Sequence, residues 1–460
     1  RHQKVIEEAP SPLLDEQTRA RMGEQAVALA RAVDYCSAGT VEFVADAQRN
    51  FFFLEMNTRL QVEHPVTEMV TGLDLVEQMI RIAAGEPLPL RQEDVRLNGW
   101  AIEARIYAED PTRGFLPSTG RLVRYRTPDS EGEPGVTPGD QTVRVDTGVA
   151  EGDEVSMFYD PMIAKLITHG ASRAEAIDRA CDALDATIIR GVAHNTGFLN
   201  ALLSHPRFKA GRLTTNFLAE EFPDDFVPSR VSDRAAVRLA VVAAAIHEQL
   251  TRRDSRTRIE PAYTLPTADA RDSPSGRTGP IACQASWVVK LDDRYLDVRL
   301  EAEPADVAPG GAWRAIAYCA GIRQPLQVDW QPGQLLLEAR LGEASMKVQV
   351  ERDGVGYTLS WGGYQVRTRV FRPAVATVER RMPYKPPPDL SRFLLSPMPG
   401  LLVKLSVAEG QLVKAGEELA VVEAMKMENV LRATQDVSVK ALLVEPGASL
   451  QVDQPIMEFE

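Results

Sequence analysis

The stretch Glu423-Ala424-Met425-Lys426-Met427-Glu428-Asn429 places one lysine between two methionines in the middle of a β-rich segment. Two similar sequences flank this stretch: the run from Val403 to Leu419 recurs as the run from Val439 to Ile456. Each copy alternates apolar and polar residues, as half-buried strands do. Two such halves packed face to face form a small flattened barrel whose connection is an exposed hairpin. The pattern therefore predicts that Lys426 lies at a protruding tip and is an attachment point.

Two motifs of this segment resemble the biotinyl carrier domain of biotin-dependent carboxylases: Ala424-Met425-Lys426-Met427 and, upstream, Pro397-Met398-Pro399-Gly400. The resemblance implies that biotin is amide-linked to Lys426. Lipoyl domains share this fold, but their lysine usually follows an aspartate, so lipoate fits less well. An exposed hairpin lysine between core methionines is the alternative without a cofactor. Val437 stands where the family usually has a turn glycine, which puts that turn in question rather than the lysine.

The composition limits the classes of partner. The 460 residues predict about three domains, and the net charge of −13 argues against nucleic acid as a main partner. The four cysteines are scattered without metal-ligand or disulfide spacing, which favours a reducing compartment. No apolar run approaches the length that spans a membrane, so we expect no membrane partner. The first residue is Arg, so any targeting segment lies outside this sequence.

A β-hairpin is predicted from residues 40 to 57, where two alternating runs flank a polar turn. If Val44 pairs with Phe53, two glutamates fall directly opposite each other, with an asparagine on the same face. These residues are Glu42, Glu55 and Asn57. Like charges placed opposite each other destabilise a sheet, and a Mg²⁺ or Mn²⁺ ion between them would remove the penalty. The alternative is a solvated face on which the carboxylates point apart into water.

The next segment, Asn57-Thr58-Arg59-Leu60-Gln61-Val62-Glu63-His64-Pro65, resembles the metal- and bicarbonate-binding strand and loop of biotin carboxylase, an ATP-grasp enzyme. Other segments match the same family in the same order. They are His2-Gln3-Lys4-Val5-Ile6-Glu7-Glu8-Ala9-Pro10, Glu103-Ala104-Arg105-Ile106-Tyr107, Phe115-Leu116-Pro117-Ser118 and Tyr159-Asp160-Pro161-Met162-Ile163-Ala164-Lys165-Leu166. Residues 1–228 therefore resemble the C-terminal half of a biotin carboxylase.

The resemblance implies a role for each matched residue. Bicarbonate is a poor electrophile that ATP must activate, through carboxyphosphate, to CO₂, and this needs cations and a base. Glu63 would be the base, and Arg105 would stabilise the enolate-like oxygen formed when the biotin ureido nitrogen loses its proton. Bicarbonate and phosphate would be bound by Arg59, Gln61, the backbone of Val62, Lys4 and His2. The metal ligands would be Glu42, Glu55 and Asn57. For Arg105 alone, a cross-strand salt bridge with Glu103 or Glu109 is the alternative.

The family's N-terminal lobe and glycine-rich lid would precede Arg1. No phosphate-cradling glycine loop occurs between residues 1 and 228. The resemblance thus implies that this chain alone hydrolyses little or no ATP. A non-catalytic carrier and docking module is the rival function from another class.

Residues 229–372 predict a helix followed by an antiparallel barrel. Ser232 is suited to cap an alanine- and valine-rich helix to about Leu250, and eight short β runs follow between residues 284 and 371. This arrangement resembles the subunit-contact domain of acyl-CoA carboxylase α subunits and implies a carboxyltransferase β subunit as partner. Residues 373–394, which are rich in Pro, predict a semi-rigid linker.

The predicted fold class is α+β multidomain. Its domains are the ATP-grasp part (1–228), the helix and antiparallel β-barrel (229–372), the linker (373–394) and the biotinyl domain (395–460). The resemblance implies a biotin-dependent acyl-CoA carboxylase α subunit in a hetero-oligomer, with a biotin protein ligase as further partner and the acyl-CoA reached through the β subunit. Residues 389–393 and Asn429 are most similar to bacterial propionyl-CoA carboxylases; the methylcrotonyl-CoA enzymes are the runner-up. The expected location is the bacterial cytoplasm or the mitochondrial matrix.

Overall fold

The computed structural model describes residues 4–128, 142–156, 159–222, 226, 231–256, 284–302, 312–383, 390, 392–424 and 427–460. It divides into two compact units, one comprising residues 1–228 and 387–460 and the other residues 229–386. Within the described parts of the chain, none of the helices combines the length and the apolar character needed to cross a bilayer. Cys36, Cys181 and Cys319 are free thiols, and Cys283 lies outside the described residues.

The N-terminal part of the first unit alternates short strands and helices. Its strands are β1 (Ile6–Ala9), β2 (Thr40–Ala45), β3 (Phe51–Asn57), β4 (Trp100–Tyr107), β5 (Glu109–Asp110), β6 (Leu116–Pro117), β7 (Gly120–Arg121), β8 (Arg124–Arg126), β9 (Val143–Thr147), β10 (Glu154–Val155), β11 (Met162–Gly170) and β12 (Ile188–Arg190). Its helices are α1 (Glu16–Ala32), α2 (His64–Thr71), α3 (Leu75–Ala83), α4 (Arg173–Ala186), α5 (Thr196–Ser204), α6 (Pro206–Lys209) and α7 (Phe217–Glu221).

The central sheet of this part has the antiparallel order β1-β4-β11-β9. Successive residues of β4 point to opposite faces. Ile102, Ala104 and Ile106 belong to the apolar core that also holds side chains of α4 and α5. Ala101, on the other face, packs with side chains of α2. Glu103 and Arg105 lie on this second face, so α2 covers one end of a face whose other end is charged.

Helix α4 begins as the sequence predicts, because the Ser172 hydroxyl accepts a hydrogen bond from the backbone N–H of Glu175 at 3.3 Å. The apolar residues spaced from Ile177 to Ile188 predict that this helix continues to Gly191, and this prediction is wrong, since the helix ends at Ala186. The β-branched residues that follow form β12, which pairs with β8. Tertiary pairing therefore ends the helix early.

The hairpin of β2 and β3 confirms that Glu42 lies directly opposite Glu55. The predicted pairing of Val44 with Phe53 is wrong, because a β-bulge after Glu42 shifts the register and Val44 pairs with Phe52. The two glutamates stand at the last pair before the bulge. The alternation of the sequence predicted the pair but not the extra residue.

The second unit contains helix α8 (Asp233–Arg256), a closed antiparallel barrel and helix α9 (Pro373–Glu379). The barrel strands are β13 (Gln284–Leu291), β14 (Arg294–Ala302), β15 (Trp313–Cys319), β16 (Ile322–Asp329), β17 (Leu336–Leu341), β18 (Ala344–Asp353), β19 (Gly356–Trp361) and β20 (Tyr364–Phe371). Each strand pairs with the next, and β20 returns to β13. The apolar residues of α8 share one core with the barrel interior.

Helix α9 occupies the start of the segment predicted as a linker. Its Glu379 accepts a hydrogen bond from the Lys290 ammonium group of β13 at 2.8 Å. The first turns of this segment are thus fastened to the barrel. The prediction of a Pro-rich tether from residue 373 onward is wrong at its beginning, because an ion pair holds it there.

The C-terminal part of the first unit is β throughout. Its strands are β21 (Phe393–Leu395), β22 (Gly400–Leu405), β23 (Leu412–Val413), β24 (Glu418–Ala424), β25 (Met427–Arg432), β26 (Val437–Leu442), β27 (Ser449–Leu450) and β28 (Pro455–Phe459). They form two four-stranded sheets, β21-β28-β26-β23 and β25-β24-β22-β27. The short strand of each half, β23 or β27, pairs with a strand of the other half. The two half-repeats are therefore entwined.

Candidate functional site

Charged side chains from four segments converge beside the central sheet: the start of β1, the β2–β3 hairpin, the loop into α2, and β4. The loop is positioned at its end by α2, which begins at His64 with Pro65 in its first turn. Across the sheet, the Lys165 ammonium group of β11 donates to the backbone oxygen of Val62 at 2.7 Å and so ties the loop to the sheet. Residues far apart in sequence are thereby brought to one surface.

Glu63 lies between two cations. Its Oε1 accepts a hydrogen bond from Lys4 Nζ at 2.8 Å, and its Oε2 accepts one from Arg105 Nη2 at 3.0 Å. Burial acts to raise the pKa of Glu63, but the hydrogen bond and charge of Lys4 and the charge of Arg105 outweigh it, so the pKa lies below its ordinary value. Burial likewise acts to lower the pKa of Lys4, and Glu63 and Glu42 raise it instead. Both groups are therefore charged at neutral pH.

The predicted metal ligands also converge. Asn57 Nδ2 donates to Glu42 Oε1 at 2.9 Å and to Glu55 Oε1 at 3.2 Å, so the amide lies between the two carboxylates. The two N–H groups relieve the repulsion that the sequence predicts. An amide rotated by half a turn would present its oxygen instead, and two carboxylates plus an amide oxygen are hard ligands. The donor set fits a divalent cation, although no three His, Cys, Asp or Glu side chains of the described residues cluster as a metal site.

Arg59 and Gln61 form the far side of the site. Arg59 Nη1 lies 3.4 Å from Gln61 Oε1, and Arg59 Nη2 lies 3.4 Å from Asn57 Oδ1. Gln61 Nε2 donates to Glu42 Oε1 at 3.2 Å. These contacts link the candidate anion-binding residues to the candidate metal ligands. The long, weak bonds leave the guanidinium of Arg59 able to turn toward an anion.

The structure places two further carboxyl groups at Arg105: Glu103, which the sequence named only as an alternative salt-bridge partner, and Glu7, to which the sequence assigned no role. Glu7 Oε1 lies 2.6 Å from Arg105 Nη2, and Glu103 Oε1 lies 3.9 Å from Arg105 Nε. Burial raises the pKa of Glu7 to about 7 and that of Glu103 to about 8. Glu109, the other alternative partner named for Arg105, forms no ion pair with it among the described contacts. For Glu103, an acidic residue within a mostly apolar strand was the available signal, whereas Glu7 stands beside a second glutamate, Glu8, in β1 and gave no such signal.

The backbone of β4 is held next to Arg105 by Asn195, which is fully buried. Its Oδ1 accepts a hydrogen bond from the backbone N–H of Tyr107 at 2.9 Å. Its Nδ2 donates to the backbone oxygen of Arg105 at 3.0 Å. The sequence reasoning missed this residue, because a lone asparagine before a helix reads as a cap.

Two of the predicted site residues, His2 and Lys426, lie outside the described residues, and their roles stay predictions. The strands next to Lys426 are described, and Ala424 pairs with Met427. The upstream motif packs against this hairpin, since Asn429 Nδ2 lies 3.4 Å from the buried sulfur of Met398. A Cβ on Gly400 would lie 2.5 Å from the backbone oxygen of Glu423. The upstream motif is therefore in contact with the residues that flank the lysine motif, and glycine is required where the backbones of residues 400 and 423 meet.

Family models match four parts of the chain. They are the carbamoyl-phosphate synthase L chain ATP-binding domain (residues 1–91), the biotin carboxylase C-terminal domain (103–220), the propionyl-coenzyme A carboxylase BT domain (239–385) and the biotin-requiring enzyme model (393–459).

Curated relatives match the whole chain. The propionyl-CoA carboxylase alpha chain of Ruegeria pomeroyi is 47% identical over all of this chain and 66% of its own length. The mitochondrial propionyl-CoA carboxylase alpha chain of Homo sapiens is 40% identical, over all of this chain and 60% of its own. The mitochondrial methylcrotonoyl-CoA carboxylase subunit alpha of Mus musculus is 36% identical, over all of this chain and 61% of its own. The chain thus spans slightly less than two thirds of the length of these relatives.

Proposed function

Because this chain belongs to the α subunits of biotin-dependent acyl-CoA carboxylases, we propose that it contributes the bicarbonate and biotin side of a biotin carboxylase site and carries the biotin. The observation that supports this best is the position of Glu63, whose two carboxylate oxygens are held by Lys4 and Arg105. A base and two cations at one point are what the carboxylation of biotin with bicarbonate requires.

Glu63 removes the proton of bicarbonate in this proposal. A carboxylate held by two cations is a weak base, so the transfer depends on what the cations do next. When Glu63 becomes neutral, Lys4 and Arg105 lose their counter-charge and are free to bind the newly formed anion. The same cations thus favour the ionised base before the transfer and the anion after it.

Arg59 and Gln61 bind the bicarbonate, and Arg105 later stabilises the enolate-like oxygen of deprotonated biotin. Glu42, Glu55 and Asn57 would hold Mg²⁺ or Mn²⁺, which neutralises phosphate charge when nucleotide is bound. The guanidinium of Arg105 is suited to its role because its charge is permanent and its N–H groups lie in one plane. Biotin attached to Lys426 would carry the carboxyl group onward.

A separate carboxyltransferase β subunit receives that group and selects the acyl-CoA. The match to the BT domain over residues 239–385 supports such a partner. Propionyl-CoA is the favoured acyl-CoA, since relatives named propionyl-CoA carboxylase alpha chain are 39 to 47% identical and a relative named methylcrotonoyl-CoA carboxylase subunit alpha is 36% identical. A biotin protein ligase would modify Lys426. The compartment would be the bacterial cytoplasm or the mitochondrial matrix, a proposal supported by relatives that include a bacterial chain and mitochondrial ones.

The catalytic role of Glu63 is tested in an α chain of full family length that contains this sequence. Bicarbonate-dependent ATP cleavage is measured with free biotin as acceptor. We expect Glu63→Gln to lower the rate by about 100-fold or more, because a general base typically contributes this much. Glu77→Gln is the matched control, since Glu77 lies on the exposed side of α3 and pairs only with Arg81 on that helix. Equal rates in both variants would contradict the proposal.

The carrier role is tested by intact mass and peptide mapping after co-expression with a biotin ligase. We expect one biotin, on Lys426, and none in Lys426→Arg. Lys414→Arg, at an exposed position of the same β region, should still be modified. An unmodified wild-type chain in the presence of active ligase would exclude the carrier role.

A further inference from the structure

Glu103 is a fully buried carboxyl group for which the proposed reaction gives no role. Its exposed fraction is 0%, and neither of its side-chain oxygens has a hydrogen-bond partner among the described residues. It lies on β4, two residues before Arg105 on the same face, and directly opposite Glu7 of β1. Two carboxyl groups thus face each other across neighbouring strands, away from water.

The charges around Glu103 do not balance it. The nearest cation is Arg105, whose Nε lies 3.9 Å away, while its Nη2 already contacts Glu7 at 2.6 Å and Glu63 at 3.0 Å. Lys165 of β11 contacts Asp146 at 3.3 Å and also donates to the loop. The other titratable or charged side chains of the elements packed around this face are Tyr107, Arg144, Glu63, His64, Glu68 and His169. Three carboxyl groups therefore share the guanidinium of Arg105, and Glu63 has Lys4 as a second cation at 2.8 Å.

A buried carboxylate without hydrogen bonds is much more costly than a buried neutral acid. A neutral Glu103 also has an O–H to donate, and Glu7 stands directly opposite as an acceptor. Consistent with this, burial and then the charge of Glu7, opposed by Lys165 and Arg105, raise the pKa of Glu103 to about 8. The geometry and the burial point the same way.

We propose that Glu103 is held as a neutral carboxylic acid and is a positioning residue for Arg105. While Glu103 is neutral, Arg105 has two carboxylates to pair with, Glu7 and Glu63, and keeps its Nη2 edge directed at Glu63. Once Glu103 ionises, a third carboxylate attracts the Nε edge of the Arg105 guanidinium. Arg105 then has less positive charge available for binding an anion. The consequence for catalysis rests on the proposed function, whereas the protonation state does not.

The protonation state is measured in this chain by infrared spectroscopy between pH 6 and 10, using the carbonyl stretch of protonated carboxylic acids. We expect an acid band at pH 7 that fades as the pH rises through about 8 and is missing in Glu103→Gln. Glu109→Gln is the matched control, because Glu109 is another buried carboxyl, just beyond β4. Glu109→Gln should remove a different component of the acid band and leave the component that belongs to Glu103. A spectrum that Glu103→Gln does not change would overturn the proposal.

The positioning role is measured in the full-length α chain by the pH dependence of KM for biotin. At one pH unit above a pKa of about 8, about a tenth of Glu103 stays neutral, so wild-type KM should rise about tenfold toward pH 9. Glu103→Gln is permanently neutral and should keep kcat and lack this rise. A rise of equal size in the variant would overturn the role. An inactive wild type would refute the proposed function, and the infrared result would still decide the protonation state.

Discussion

Replacing Asn195 by alanine should loosen β4 where it carries Arg105. Asn195 is fully buried and makes two hydrogen bonds to this strand, one from the N–H of Tyr107 and one to the oxygen of Arg105. Alanine removes the acceptor of the Tyr107 N–H and the donor to the Arg105 oxygen at once. The backbone N–H of residue 195, which donates to the Tyr107 oxygen at 3.2 Å, remains as a link between β4 and the start of α5.

The size of the destabilisation follows from the two backbone groups of β4 that lose their partner, the N–H of Tyr107 and the oxygen of Arg105. A buried donor or acceptor that loses its partner costs about 1 to 3 kcal/mol. Tyr107 is itself buried, so water does not replace the amide easily. Two such groups give roughly 2 to 6 kcal/mol, and a value of about 3 kcal/mol, in the lower half of this range, corresponds to about a 100-fold larger open population of the strand.

Hydrogen exchange of the peptide that covers residues 100–107 reports this population directly. We expect its slowest amides to exchange about 100-fold faster in Asn195→Ala, while a peptide from β18 in the barrel stays unchanged. Asn200→Ala is the matched control, because Asn200 is equally buried but bonds to Cys181 and Asp185 on α4. It should speed exchange in α4 and leave β4 protected. Unchanged exchange of β4 in Asn195→Ala would refute the reasoning.

Three further predictions concern charges near the site. Lys4→Gln should raise the pKa of Glu63, because it removes the hydrogen bond and charge that lower it, and so should move the acid limb of the full-length enzyme's rate profile to higher pH. Burial raises the pKa of Glu109 from 4.5 to about 7, so the folded state binds more protons between these values and stability falls as pH rises through them. Glu109→Gln should therefore stabilise the protein above pH 7 by about 2 to 3 kcal/mol, measured by urea unfolding at several pH values. Glu68→Ala should destabilise α2 by about 3 kcal/mol, measured by hydrogen exchange, since it breaks a 2.7 Å ion pair between a buried carboxylate and Arg144.

Each of these has a clear contrary result. An acid limb that stays in place in Lys4→Gln would mean that Lys4 does not control the base. Equal stability of Glu109→Gln and wild type at pH 5 and at pH 8 would mean that Glu109 titrates normally. Glu77→Ala, which breaks an exposed pair on the neighbouring α3, is the control for Glu68→Ala and should change stability by less than about 1 kcal/mol.

Local patterns predicted the elements that depend on neighbours in sequence. The alternation between residues 284 and 371 predicted all eight strands of the barrel, because short turns and period-two burial are visible without tertiary information. The half-repeats likewise predicted the small C-terminal β region made of two halves. The exchange of β23 and β27 between these halves is seen in the structure. The predictions failed where a segment distant in sequence determines the local structure. Helix α4 ends early because β12 pairs with β8, and the predicted linker begins with helix α9, which Lys290 of the barrel holds by an ion pair.

The candidate site was predicted through its matched motifs, and the structure brings its described members together. No role was predicted for Glu7, and Glu103 was named only as an alternative salt-bridge partner of Arg105, since their importance depends on being opposite each other across β1 and β4, almost a hundred residues apart. Asn195 was missed for the same reason. Burial turns an ordinary polar residue into one with an altered pKa or an essential hydrogen bond, and burial at this range is a property of the fold.

The pairing of strands between the two half-repeats has a consequence for when this β region can fold during synthesis. Strand β28, the last strand of the region along the chain, lies between β21 and β26 in one sheet. During synthesis that sheet lacks the strand that joins β21 to β26 until residues 455–459 have left the ribosome. An enzyme that modifies Lys426 only in the folded region would therefore have to act after the whole of this β region has been synthesised.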